Sequence, residues 1–145
     1  MRHFYSNQVN LVEIVNTISP TIISLNELGT VVPAKTIEQL LFSCNVYVKE
    51  GTNYHGGVVI ATDKKLKCQP ISIDEPNIVA VRVIIEDQLF IVASIYSPPT
   101  EALPLATMTT LLNESRNLIL ARDFNAKQLN WKCTQVNTKG RILST

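Results

Sequence analysis

Asn117-Leu118-Ile119-Leu120-Ala121-Arg122-Asp123-Phe124-Asn125 is the stretch from which the rest of the chain can be organised. Asn117–Ala121 is a short apolar run of the kind that becomes a buried strand, and it ends in a polar cluster containing a carboxylate. Thr21-Ile22-Ile23-Ser24-Leu25 repeats the pattern and runs into Asn26-Glu27. Apolar strands that deliver acids at their ends are a common way to build a hard-cation site, because Mg²⁺ takes one or two carboxylates and fills its shell with water and phosphate oxygen. A cation so held can polarise a phosphoryl oxygen and stabilise a leaving alkoxide. Asp, Glu and Asn also end strands simply because they favour turns, and without a further signal that reading stands ahead.

Outward from these runs the chain reads as strands with a few helices. Asn7 to Ser19 carries Leu11, Val15 and Ile18 at helical spacing, with a capping-box pattern at Asn10 and Glu13 and a stop at Pro20. Thr36–Cys44 reads as a short helix or irregular segment. Asn45–Lys49 and Gly57–Thr62 are β-rich and separated by a loop from Gly51 to Gly56, and Gln69–Ile73 is a further short strand. Ile78–Ile85 and Leu89–Tyr96 flank Glu86-Asp87-Gln88, which predicts a hairpin, and Ser97-Pro98-Pro99 ends it because proline cannot continue a ladder. Glu101–Glu114 predicts a helix with Leu105, Met108, Leu111 and Leu112 on one face. The tail from Ala126 reads as polar loop around Trp131, entering a helix after Gly140. This order predicts an α/β (α+β) sandwich with a mixed sheet rather than a regular βαβ repeat.

Composition bounds the function. The 145 residues suffice for one domain with a core, and 46% hydrophobic with 17% charged residues argues against disorder. Thirteen Lys and Arg against 12 Asp and Glu give a net charge of +1, which argues against a broadly basic nucleic-acid grip but leaves room for a local groove. Lys64, Lys65 and Lys67 form one small basic cluster, a solvated turn or a phosphate contact. The apolar stretches, such as Leu89–Ile95, are too short to span a bilayer, and Met1–Tyr5 has no apolar signal region, so an intracellular chain with no membrane partner is expected. Cys44, Cys68 and Cys133 are widely spaced, with no CxxC pair and no neighbouring histidine, which reads as reduced thiols rather than a zinc site. His55 reads as a solvated loop residue and Trp131 as a packing anchor.

Five blocks in order carry a resemblance. Pro20-Thr21-Ile22-Ile23-Ser24-Leu25-Asn26-Glu27 resembles the first metal-ligand motif of the endonuclease domains of LINE-type (non-LTR) retrotransposons. Gly56–Ile60 looks like the next core strand of that family, and Ile91–Pro99 like the strand that presents its active-site tyrosine. Asn117–Asn125 looks like the strand leading into its Gly-Asp-Phe-Asn motif, and Trp131 with Asn137-Thr138-Lys139-Gly140-Arg141 like the Trp and Asn-x-x-Gly-Arg that follow. The resemblance, to the exonuclease–endonuclease–phosphatase (DNase-I-like) superfamily, implies a four-layered α/β sandwich of two packed mixed sheets, here incomplete. It implies that Glu27 holds Mg²⁺ (or Mn²⁺), Asp123 orients or deprotonates the attacking water, Asn125 holds phosphate or nucleophile, and Tyr96 hydrogen-bonds a phosphate oxygen. The implied reaction is nicking of DNA so that the freed 3′-hydroxyl primes reverse transcription, with a reverse transcriptase domain in the full element and a nuclear location.

The chain also departs from the family. Arg122 stands where the motif has glycine and is expected to crowd the cation or pair with Asp123, and Leu28-Gly29 replaces the usual threonine. Met1–Tyr5 offers no counterpart of the family's first asparagine, and neither His3 nor His55 matches the histidine of its final Ser-Asp-His block. Residues 1–145 thus read as a partial domain, truncated at both ends, with an uncovered sheet edge and with little or no nuclease activity of its own. The alternatives are an inactive remnant serving as a structural or interaction domain, and another phosphodiesterase or phosphatase of the superfamily.

Overall fold

A computed structural model describes residues 3–144. Two sheets pack face to face between helices. The first has the order β1-β3-β2 and is antiparallel throughout, from β1 (Ile22–Asn26), β2 (Cys44–Lys49) and β3 (Val58–Asp63). The second has the order β4-β5-β6-β7, from β4 (Lys67–Ile71), β5 (Ile78–Ile85), β6 (Gln88–Tyr96) and β7 (Leu118–Asp123). Its β6–β7 pair is parallel and the others antiparallel, so of the two sheets expected to be mixed only this one is. Helix α3 (Leu105–Glu114) makes the β6-to-β7 crossover, since parallel neighbours need a long connection.

Alternation along the strands produces the four layers. Ile23, Leu25, Val59, Ala61 and Cys44 point outward onto Phe4 and Leu11 of α1 (Phe4–Ile18) and Ile37 of α2 (Ala34–Leu40). Ile60, Val81, Val83 and Val92 fill the space between the sheets. Ala80, Ile91 and Ala93 pack on Leu111 of α3. β7 lies at a sheet edge, and its Ile119 is 46% exposed.

Four local expectations need correction. α1 begins at Phe4, so Asn10 and Glu13 lie mid-helix rather than in a capping box; the earlier start is tertiary, with Phe4 fully buried and its N–H donating to Leu28 O at 2.9 Å. The β5–β6 turn has two residues, Glu86 and Asp87, because Gln88 already pairs with Ile85; their φ values of 49° and 61° match the hand of turn that suits strand twist. α3 starts only after Pro104; its face buries Leu111, while Leu105 and Leu112 are exposed. Helix α4 (Thr138–Leu143) starts before Gly140 because the Asn137 side chain caps it, accepting from Gly140 N. The Lys64–Lys67 cluster is a solvated turn at the Ile22 end of the sheet, opposite the Asn26 end.

Candidate active site

The register brings the candidate residues to one end of the sandwich. Tyr96 and Asp123 are directly paired on β6 and β7, so both project from the same face toward the first sheet. Asn26 and Glu27 end β1 across the gap. A polar seam ties the sheets together there: Ser24 Oγ donates to Ser94 Oγ at 2.9 Å, Ser94 Oγ donates to Asn26 Oδ1 at 2.5 Å, and Asn26 Nδ2 donates to Ile95 O at 3.4 Å. The sequence carried a signal for this seam, polar residues at every second position of otherwise apolar strands (Ser24 and Asn26, Ser94 and Tyr96), which its reading passed over.

Backbone conformation then aims the groups. Glu27 (φ 54°) and Asn125 (φ 49°) both take the left-handed region, turning the chain sharply where each strand stops. For a glutamate this costs on the order of 1 kcal/mol, the kind of local strain that collects at functional sites. Asn125 N donates to Asp123 Oδ1 at 3.0 Å, and Asn125 Nδ2 donates to Ser97 O at 3.1 Å. Asp123 O accepts from Ser97 N at 2.8 Å, locking the turn after β6 onto the end of β7.

Tyr96 sits among these groups, 3% exposed. Burial raises its phenol above the ordinary tyrosine range; the charge of Glu27, a hydrogen bond to Glu27 and the charge of Asp123 raise it further, while a hydrogen bond with Asn125 opposes them. The phenol is therefore a neutral donor across the working pH range. Two further residues were missed by the sequence reading. Asn77, buried with φ 60°, accepts from Gly57 N at 3.1 Å, donates to Thr52 Oγ1 at 3.2 Å, and presents its carbonyl to Tyr96 N at 3.0 Å. Lys139, 5% exposed, donates to Ser97 and Pro98; burial lowers its pKa, opposed by the charges of Glu101 and Asp123.

Glu27, Asp123, Tyr96 and Asn125 thus converge. Arg122 alternates to the face of β7 opposite Asp123, where its guanidinium lies 5.0 Å from the centroid of the Phe124 ring, and it also lines the cavity that Asp123 and Asn125 border. Trp131, expected to anchor packing, is 45% exposed in the single turn Leu129–Trp131 and walls an open cavity of about 390 Å³ beside Asp123 and Asn125. His55 is exposed and lies against Tyr54, with ring centroids 3.8 Å apart. Among the described residues no cluster of three or more His, Cys, Asp or Glu is set to hold a metal. The donor set is instead two carboxylates with amide and phenol oxygens, which fits a hard cation keeping much of its water and not zinc.

The fold has known relatives. The endonuclease domain of TRAS1, a telomere-specific non-LTR retrotransposon, superposes with a TM-score of 0.64 at 18% identity, covering 99% of this chain. Truncated TDP2 of Caenorhabditis elegans superposes at 0.59 with 12% identity over 94% of this chain. The chain spans 63% of the first structure's length and 61% of the second's. No curated protein matches the sequence. The chain shares the DNase-I-like fold of these structures. Residues 90–145, which include Tyr96, Asp123 and Asn125, match the family model described as endonuclease–reverse transcriptase.

Proposed function

We propose that this chain carries the core of a metal-dependent DNA endonuclease that nicks target DNA for reverse transcription. The observation that supports it is the convergence of Glu27, Tyr96, Asp123 and Asn125 from the ends of three strands on two sheets. Glu27 would hold Mg²⁺ or Mn²⁺, which when bound supplies Lewis-acid polarisation of the phosphate. Asp123 takes a proton from water as the new O–P bond forms and the P–O3′ bond breaks; the departing 3′ oxygen is protonated by solvent. Tyr96 donates to a non-bridging phosphate oxygen, where charge builds in the transition state. Asn125, held by Ser97 O, keeps phosphate and nucleophile in line. A reverse transcriptase domain elsewhere in the element and action in the nucleus belong to the same reading. No helix among the described residues is long and apolar enough to cross a membrane.

Turnover by these residues alone is expected to be slow, because neither His3 nor His55 matches the histidine of the family's Ser-Asp-His block. The test is nicking of supercoiled plasmid by the purified chain with Mg²⁺ or Mn²⁺. Slow, cation-dependent nicking that disappears in Asp123→Ala supports the endonuclease reading. A folded chain that never nicks at high enzyme excess overturns it, and leaves a non-hydrolytic interaction module of the same fold.

A further inference from the structure

The turn after β6 and the loop after β7 are held together by a group for which the proposed chemistry has no use. Lys139, in α4, points its ammonium into a cradle of three oxygens: Ser97 O at 3.1 Å, Ser97 Oγ at 2.6 Å and Pro98 O at 2.5 Å. An ammonium has three N–H bonds, so all are used and none remains for a substrate. A buried charge is tolerated only when it is met in this way. Beside it, Asn137 Nδ2 donates to Asn125 O at 2.7 Å, while Asn137 Oδ1 accepts from Lys127 N and Gly140 N, each at 2.9 Å. Gly140 completes the contact, since a Cβ there would lie 1.8 Å from Lys127 O.

These contacts meet at one atom. The Ser97 carbonyl accepts from both Lys139 Nζ and Asn125 Nδ2, each at 3.1 Å. We propose that Lys139 is a positioning residue: by gripping Ser97 and Pro98 from α4, its buried ammonium fixes the turn after Tyr96 against the loop bearing Asn125, and so sets the placement of both toward the phosphate. The inference rests on the reading of Tyr96 and Asn125 as phosphate-facing groups. An apolar side chain of equal length would fill the space but leave the oxygens without their donor, so the cation is required and not merely the bulk.

The clasp can be tested without catalysis, by NMR of the Asn125 side-chain amide in ¹⁵N-labelled protein. In folded Lys139→Ala we expect amide exchange to quicken about tenfold, the equivalent of one lost hydrogen bond. Propylammonium in excess should restore the wild-type rate, whereas tetramethylammonium, a cation without N–H donors, should not. Leu111→Ala, a destabilised core variant away from the clasp, should leave the Asn125 signal unmoved. An unchanged Asn125 amide in Lys139→Ala, or equal rescue by both cations, overturns the proposal. The wild-type chain gives a further measurement that needs no variant: its Lys139 Nζ protons should exchange slowly, and exchange at the rate of a solvated lysine would refute the clasp even if Lys139→Ala does not fold. If the chain nicks plasmid, Lys139→Ala should lower kcat with KM unchanged. A clasp that passes these tests in a chain that never nicks DNA would stand while the endonuclease reading falls.

Discussion

Each end of the second sheet brings carboxylates together with left-handed backbone, and the two ends do different things. At the β5–β6 turn, Glu86 and Asp87 have φ values of 49° and 61° and are exposed. At the other end, Asn125 (φ 49°) follows Asp123, facing Glu27 (φ 54°) across the gap between the sheets, and all three are half-buried. Carboxylates and positive φ are thus common to a plain hairpin and to the candidate site. What separates them is company: the hairpin end is bonded within its own sheet, where Ile84 pairs with Lys67 and Leu89 O accepts from Ser115 and Asn117, whereas the site is bridged across both sheets by Ser24, Ser94 and Asn26 and braced by Asn77 and Lys139.

The largest effect should come from exchanging like for like between the two ends. Asp123→Ala is expected to reduce cation-dependent nicking by about a hundredfold or more, the scale of a lost general base. Glu86→Ala and Asp87→Ala should leave it within about twofold, since surface changes away from packed contacts are nearly neutral. Comparable losses from both ends would break the distinction. Gly140→Ala comes next, in stability: its Cβ must displace Lys127, and overpacking of this kind costs about 1–3 kcal/mol in urea unfolding.

A third effect is a matter of pH. The Tyr96 phenol is raised in the folded state, first by burial and then by Glu27 and Asp123. Its contribution to stability is fully present below the ordinary tyrosine range and is lost as pH rises through the raised value. Tyr47, raised by burial and by Cys68, adds to the same alkaline fall. Lys139 works the other way, because its lowered pKa makes the folded state gain relative stability as pH rises. Tyr96→Phe should therefore flatten the alkaline decline of the urea midpoint but not abolish it. The smallest effect is expected at the hairpin, where Asp87→Gly should change stability by at most about 1 kcal/mol, because glycine takes the turn's positive φ without cost. A large loss there would show that the turn carries contacts beyond its own strands.

Much of this was legible in the sequence. The apolar runs before Asn26-Glu27 and Asp123-Phe124-Asn125 fall on β1 and β7, and the register brings the named residues Glu27, Tyr96, Asp123 and Asn125 together. What stayed hidden depends on partners remote in sequence. The start of α1 is set by Phe4 meeting Leu28, and Ser24 finds Ser94 across 70 positions. Lys139 lay inside a quoted motif, yet nothing local distinguishes a lysine that will bury its ammonium against Ser97 from one that will face water. The stacking of Arg122 on Phe124 was likewise hidden, because it follows from strand alternation that puts the two side chains on the face opposite Asp123.

The seam from Ser24 to Ser94 has a further consequence, for the order of assembly. The β5–β6 hairpin closes over a two-residue turn, a contact the chain finds quickly. The seam must instead draw together residues 70 apart, and β7 can dock only after the α3 crossover has been laid down. Loop closure over such distances is slow and is repaid only when both sheets are in place. The four groups that would meet the phosphate are therefore expected to come together late in folding, after the hairpin at the other end of β6.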